Sequence, residues 1–359
     1  MSKMKKMTYA VILAGGKGER FWPKSRRQSP KQLLSIISSK TMIEMTVDRI
    51  KPMIPDNMII VVASEEIKDN LLDIDLGIPD ENYLFEPMGK NTAPAIGFAA
   101  FHIMGKDKDS TMVVLPADHH IEEEDDFREC LNTAIEMAEK DYLITFGIVP
   151  TRPETGYGYI EAGEGIEKGV CVVKKFKEKP SQKKANEFIK NEKFLWNSGI
   201  FVWKTGRIIE EFHRFQSEFA AGMEKCFKLD NASKRKKKIK ELYEETEPIS
   251  IDYAVMERAS DVAVVRASFG WDDVGSWNAL ERVRDKDRKG NIISGDSVLI
   301  DTRDSIIISD KGIVGAIGVS NFAIVHTEDA TLVFPKDRDQ EVKEIVRKLR
   351  SEKKLKKYA

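Results

Sequence analysis

Two textures of apolar residues follow one another along this chain. In the first, short unbroken apolar runs alternate with helix-period segments. Tyr9 to Leu13 is a strand-length run that stops at Gly15, Gly16 and Gly18, so the chain must turn there. Met42 to Met53 has apolar residues at Ile43, Val47 and Ile50 and is stopped by Pro52 and Pro55, which predicts a helix. Met58 to Ala63, Thr111 to Leu115 and Tyr142 to Gly147 read as further strands, and Phe127 to Lys140 as a crossover helix. This alternation predicts an α/β fold with a mixed, mostly parallel sheet flanked by helices. Ligands of such sheets lie beyond the carboxyl ends of the strands, where Gly15, Asp118 and Thr151 fall.

From Tyr157 the segments GYIEAG and GVCVVKKFKEKP predict two strands forming the far wall of a cleft, and Trp196 to Trp203 a third strand. Arg207 to Phe227 and Lys234 to Glu245 read as helices, the first with a core stripe of Ile208, Ile209, Phe212, Phe215 and Phe219. The charged stretch RVRDKDRKGN after Arg282 marks a boundary, giving domains at 1–285 and 286–359.

The second texture begins there. Short β-rich stretches recur at Ser297 to Asp301, Ser305 to Ser309, Ile313 to Ile317, Phe322 to His326 and Thr331 to Phe334. They are too short and evenly spaced for strand–helix–strand units and predict a small all-β module of stacked coils. A helix over Gln340 to Leu349 carries Val342, Ile345, Val346 and Leu349 on one face, and the Lys-rich tail behind it is expected to be disordered.

Composition narrows the function classes. With 359 residues, 41% of them hydrophobic, the chain can bury a substantial core. A net charge of −1, from 58 basic and 59 acidic side chains, supplies no global field for nucleic acid or an anionic membrane. Any affinity for phosphate must therefore be local. KRKKK at Lys234 to Lys238 runs straight into glutamates and reads as a solvated helix, and EEEDD at Glu122 to Asp126 as an acidic helix start. Cys130, Cys171 and Cys226 have no metal-site spacing and point to reduced thiols in a cytoplasmic protein. The basic N-terminus has an apolar run too short for a signal peptide, and no spanning segment follows.

Local charge concentrates at the first glycine turn. Lys17, Arg20, Lys24, Arg26, Arg27 and Lys31 crowd a loop whose glycines allow bare backbone N–H groups to approach a ligand. The pattern is G-G-x-G-x-R. It lacks the Lys-Ser/Thr pair of the Walker loop and the spacing of the dinucleotide fingerprint. From the residues alone, a polyphosphate loop and a plain tight turn both remain open. Asp118 can likewise be a turn cap, Asn91 or Thr92 a helix cap, and Glu178 and Lys179 a surface pair. Adjacent His119 and His120 lack helical metal-pair spacing and read as structural. No serine nucleophile elbow or supported cysteine motif is present.

LAGGKGERFWPKS, followed by PKQ, resembles the signature of sugar-phosphate nucleotidyltransferases, and its FWP variant is similar to mannose-1-phosphate guanylyltransferases. EPMGKNTAPAI, PADHHI, RPETGYGYI, FKEKP, WNSGIFVW, IDYAVME and WDDVGSW agree in order over nearly the whole chain. The resemblance implies a Rossmann-like catalytic domain of the GT-A type with an abbreviated left-handed β-helix behind it. It implies transfer of a guanylyl group from GTP to mannose 1-phosphate, releasing pyrophosphate, with Mg2+ held by Asp118 and Asp273. Asp272 is left to a structural role. Arg20 and Lys31 are expected to clamp the β and γ phosphates. Leu13, Ala14, Gly15, Gly16, Gly18, Asn91, Thr92 and Pro94 are expected on the nucleotide, and Gly158, Glu178, Lys179 and Asn197 on the sugar phosphate. Another sugar or nucleotide, or a silent sugar-nucleotide-sensing subunit, are the alternatives. A homodimer is expected through the β module, with no isomerase activity.

Overall fold

The computed structural model describes residues 7–359. Eleven strands build the first part: β1 (Thr8–Ala14), β2 (Ile59–Ser64), β3 (Tyr83–Glu86), β4 (Thr111–Pro116), β5 (His120–Ile121), β6 (Leu143–Ile148), β7 (Tyr159–Glu167), β8 (Val170–Lys177), β9 (Phe194–Lys204), β10 (Val262–Ala267) and β11 (Trp271–Asp272). Nine of them form one sheet in the order β3-β2-β1-β4-β9-β6-β10-β8-β7. The β3-β2-β1-β4 half is parallel throughout. Beyond it β9 runs antiparallel to both β4 and β6, and β7 and β8 complete the antiparallel far edge.

Alternation along β1 shows why the sheet is covered on both faces. Ala10, Ile12 and Ala14 enter one core with Val61 and Phe127, whereas Tyr9 and Val11 enter the other with Phe98 and Phe212. The helix Met42–Ile50 is fixed at its start by a capping box: Thr41 Oγ1 accepts from Glu44 N–H, and the Glu44 carboxylate accepts from Thr41 N–H at 2.7 Å.

The stripe expected as one helix over Arg207 to Phe227 is two, Thr205–Phe215 and Ser217–Phe227. Gln216, at φ −136° and ψ 49°, breaks the helical path. The break lets Phe212 and Phe219 meet in the same core at 5.8 Å between ring centroids.

The β module holds β12 (Ile292–Ile300), β13 (Ile306–Ile317), β14 (Phe322–His326) and β15 (Thr331–Pro335). β12, β13 and β14 stack in parallel and β15 returns antiparallel, a β-helix-like arrangement. Its core is not its own: Phe21, Trp22, Ile36, Val274 and Trp277 pack with Ile306, Ile308, Val325, Phe334, Val342 and Val346. The C-terminal helix spans Val342–Ser351. The tail behind it, expected to be disordered, is instead folded back against the first domain. Trp22 Nε1 donates to the Tyr358 carbonyl at 2.7 Å, and Lys356–Tyr358 forms a 3-10 turn. A buried indole N–H must find an acceptor, and the tail backbone supplies it. No helix among the described residues is long and apolar enough to cross a membrane.

Candidate active site

A cavity of about 1270 Å3 opens at the carboxyl ends of β1, β2, β3 and β4. Leu13, Ala14, Gly15, Gly16, Asn91, Thr92, Asp118, Asp273, Gly158 and Asn197, all singled out in the sequence, line it. Leu13, Val62 and Ala95 give one end an apolar character, with Glu86 beside them.

The two aspartates meet because two distant segments pair. In the short antiparallel ladder β5–β11, Asp272 lies opposite His120 and Trp271 opposite Ile121. Asp118 and Asp273 are thereby brought to one ammonium group. Lys31 Nζ lies 2.8 Å from Asp118 Oδ2 and donates to the Asp273 carbonyl at 2.6 Å. Lys31 is almost fully buried, at 5% side-chain exposure, so this contact is screened far less than a surface pair. Burial opposes the charge of Asp118, but Lys31, His119 and a backbone hydrogen bond together outweigh it and hold the carboxyl below its usual range.

The Asp273 side chain is oriented separately. Its Oδ1 accepts from Tyr157 O–H at 2.8 Å and from Gly275 N–H at 3.1 Å. Tyr157 in turn receives a hydrogen bond from Arg152 Nη2 at 3.1 Å. Burial, then the Asp273 and Asp272 charges, push the Tyr157 phenol well above its ordinary range, so it stays a donor. Asp272 holds the turn rather than the cavity: Arg282 donates to it at 2.5 and 3.0 Å, and Val274 N–H at 2.8 Å. These bonds keep buried, β-branched Val274 at φ +46°, a conformation costly enough to need such support.

Arg20 lies beside the same turn, donating to the Gly275 carbonyl at 3.3 Å. Gly18 also serves that corner. At φ +58° it packs on Lys31, where an added Cβ would stand 2.6 Å from the Lys31 Cβ, so no side chain fits. Neither Arg20, Lys31 nor Gly18 is on the cavity wall itself, which Gly15, Gly16 and Lys17 form. Gln32 ties that wall down by donating to the Ala14 carbonyl at 2.9 Å.

On the nucleotide side Asn91 caps the helix Thr92–Met104, its Oδ1 accepting from Thr92 N–H at 2.8 Å, while Thr92 Oγ1 accepts from Ile251 N–H at 2.9 Å. Pro94 is buried beneath, its carbonyl bonded by Tyr243 O–H. Tyr243 also donates to Glu86, whose carboxyl burial pushes up to about 8.

At the opposite end Asn197 Nδ2 donates to Asp252 at 2.8 Å. Gly158 lies where a Cβ would come within 3.8 Å of Glu178 Oε1 and 3.7 Å of Asn197 Cβ. Glu178 and Lys179 are solvent-exposed and outside the cavity wall. His119 accepts a hydrogen bond from Trp271 Nε1 at 3.2 Å, in keeping with a structural part.

Tyr157, Arg152, Gln32, Glu86 and Asp252 were not assigned from the sequence. The segments that carry them, RPETGYGYI, PKQ, EPMGKNTAPAI and IDYAVME, stood out as blocks, but nothing in a block says which side chain turns inward.

A family model described as nucleotidyl transferase matches residues 9–290, and one for a MannoseP isomerase/GMP-like beta-helix domain matches residues 295–349. Xanthan biosynthesis protein XanB of Xanthomonas campestris pv. campestris is 38% identical over 344 residues, 95% of this chain and 73% of the relative. The mannose-1-phosphate guanylyltransferase of Klebsiella pneumoniae is 36% identical, over 95% of this chain and 73% of its own length. The solved structure of a Thermus thermophilus protein called mannose-1-phosphate geranyltransferase superposes with a TM-score of 0.86 at 36% identity, covering 95% of this chain and 99% of that one. On these matches and the site they span, the chain belongs to the nucleotidyl transferase family.

Proposed function

We propose that this chain is a mannose-1-phosphate guanylyltransferase, converting mannose 1-phosphate and GTP to GDP-mannose and pyrophosphate. The observation that carries the reading is that Asp118 and Asp273 line one cavity with Gly15 and Gly16, tied together by Lys31 through the Asp118 carboxylate and the Asp273 backbone carbonyl, in a chain matched over 95% of its length by a relative of that name. A phosphate oxygen of the sugar attacks the α-phosphorus, and the bond to the bridging oxygen of pyrophosphate breaks. No protein nucleophile is required. The protein must align two polyanions and stabilise the leaving charge.

The cavity suits that task end to end. Leu13, Val62 and Ala95 offer an apolar slot for a base, and the glycine wall has backbone N–H groups for phosphates. Asn197, Asp252 and nearby Glu178 provide partners for sugar hydroxyls. Arg20 and Lys31 are proposed to stabilise the phosphates from the Asp273 corner. Asp118 and Asp273 both line the cavity, and two carboxylates completed by phosphate oxygens are a donor set magnesium accepts. When bound by Asp118 and Asp273, the ion would offset phosphate charge. We further propose self-association through the β module, where Val298, Ile300, Ile313 and Ile317 are exposed; sedimentation of Ile317→Lys as a smaller species than the wild type is the expected outcome.

Pyrophosphate release from GTP, UTP, dTTP and ATP, each with mannose 1-phosphate and glucose 1-phosphate, tests the reaction. GTP with mannose 1-phosphate should lead. Faster turnover with UTP or dTTP would overturn the guanylyl assignment.

A further inference from the structure

The basic residues of the glycine loop are almost all engaged elsewhere. Lys24 is paired with Asp310 at 2.8 Å, Arg26 with Asp329 at 2.9 Å, Arg27 with Glu66, and Lys31 with Asp118 at 2.8 Å. Arg20 is turned to the Gly275 carbonyl. Among the described residues, Lys17 alone of this group lines the cavity with no ion-pair partner. Arg20 and Lys31 act from behind the cavity wall, so the terminal phosphates of a nucleoside triphosphate, whose several charges leave together as pyrophosphate, have room for further cations on the wall itself.

Further positive charge lies at the other end of the sequence. The returning C-terminal segment brings Arg350 and Lys356 to the lining of the same cavity as Gly15, Gly16 and Lys17. Arg350 is held at the loop by an ion pair from Nη1 to Glu19, inside the G-G-x-G-x-R pattern; about one-third exposed and on the cavity lining, it keeps Nε and Nη2 for a ligand. Lys356 is exposed and has no ion-pair partner among the described residues. The placement is anchored: Val342 and Val346 are buried in the shared core, and the Trp22 indole holds the Tyr358 carbonyl. A guanidinium binds two phosphate oxygens side by side, and an ammonium adds a mobile point charge.

We propose that Arg350 and Lys356 bind the β and γ phosphates of the nucleoside triphosphate, and hence the pyrophosphate released from them, so that the C-terminal segment completes the phosphate site. The proposal rests on the reaction assigned above. The Lys-rich tail is then part of the site, and the β module that delivers it is a brace for substrate binding.

Lys356→Ala and Arg350→Ala, made in the full chain, test it. Each should raise the KM for GTP about 5- to 10-fold and weaken pyrophosphate inhibition by a similar factor. GDP-mannose inhibition should change less than about twofold, because that product lacks the phosphates in question; Lys356→Arg should retain most of the affinity. Unchanged GTP and pyrophosphate constants would overturn the proposal. So would equal weakening of all three ligands, the mark of a loop merely loosened through Glu19. Calorimetric titration with pyrophosphate needs no turnover. A wild type that binds pyrophosphate but does not use GTP with mannose 1-phosphate would sink the proposed reaction alone; variants that bind pyrophosphate as the wild type does would sink this inference alone.

Discussion

The two ends of the cavity are built differently. Around Asp273, Lys31, Tyr157, Gly275, Arg152 and Arg282 form one connected set of hydrogen bonds that draws in residues more than a hundred positions apart. Around Gly158, Glu178 and Lys179 are exposed, and Glu178 makes only a local bond with the Lys179 N–H. A connected, buried set holds its geometry before substrate arrives, whereas exposed side chains must be ordered by the substrate itself. The first end is therefore suited to stabilising charge during transfer, and the second to recognising a ligand.

This contrast should appear as a graded series. Asp118→Asn or Asp273→Asn should lower kcat by ~10^3 or more while thermal unfolding shows an intact fold; near-full activity in both would remove the charged end from the mechanism. Tyr157→Phe removes one donor to Asp273 and should cost about 10-fold in kcat with little change in KM. If its effect fell on the KM for the sugar phosphate instead, Tyr157 would belong to the other end. Glu178→Gln and Lys179→Ala should each raise the sugar-phosphate KM by roughly 3- to 10-fold with kcat nearly preserved. A loss of kcat as large as that of the aspartate variants would erase the distinction.

A separate effect, outside the catalytic series, is on stability. Glu86 ionises near 4.5 in the unfolded chain and at about 8 in the folded one, because burial outweighs the Tyr243 hydrogen bond. The folded state then holds the proton more tightly, so stability is full below pH 4.5 and falls as pH rises towards 8, by up to about 5 kcal/mol. Wild-type Tm should drop across that window relative to Glu86→Gln, measured without nucleotide. Parallel pH profiles for the two proteins would refute a buried neutral carboxyl.

Some of this was readable in advance because its cause is local. The apolar run of β1 breaking at Gly15 and Gly16 has a physical reading that needs no neighbours. The helix cap at Asn91 and the short β stretches of the module are similar cases. The break at Gln216 was not readable, since the apolar period runs through it unchanged and only packing of Phe212 on Phe219 shows why the chain bends. Gly18 is expected on the nucleotide from its motif, and only the fold adds that it packs on Lys31. The tail 352–359 reads as solvated lysines, and no periodicity signals that Trp22 Nε1 requires its backbone.

What the sequence by itself determined is the alternation of strands and helices, the glycine turn, and an ordered set of motif blocks sufficient to identify the family, because periodicity and turn chemistry act over a few residues. Only the tertiary structure decided that Asp118 and Asp273 converge, that Tyr157 rather than a neighbour aims at the second of them, and that Arg350 and Lys356 return to the first loop. Those outcomes depend on pairings such as β5 with β11 and on a core shared between Trp22, Trp277 and the β module. Contacts of that kind are set by how whole layers bury their apolar faces, a global balance that no short stretch of residues encodes.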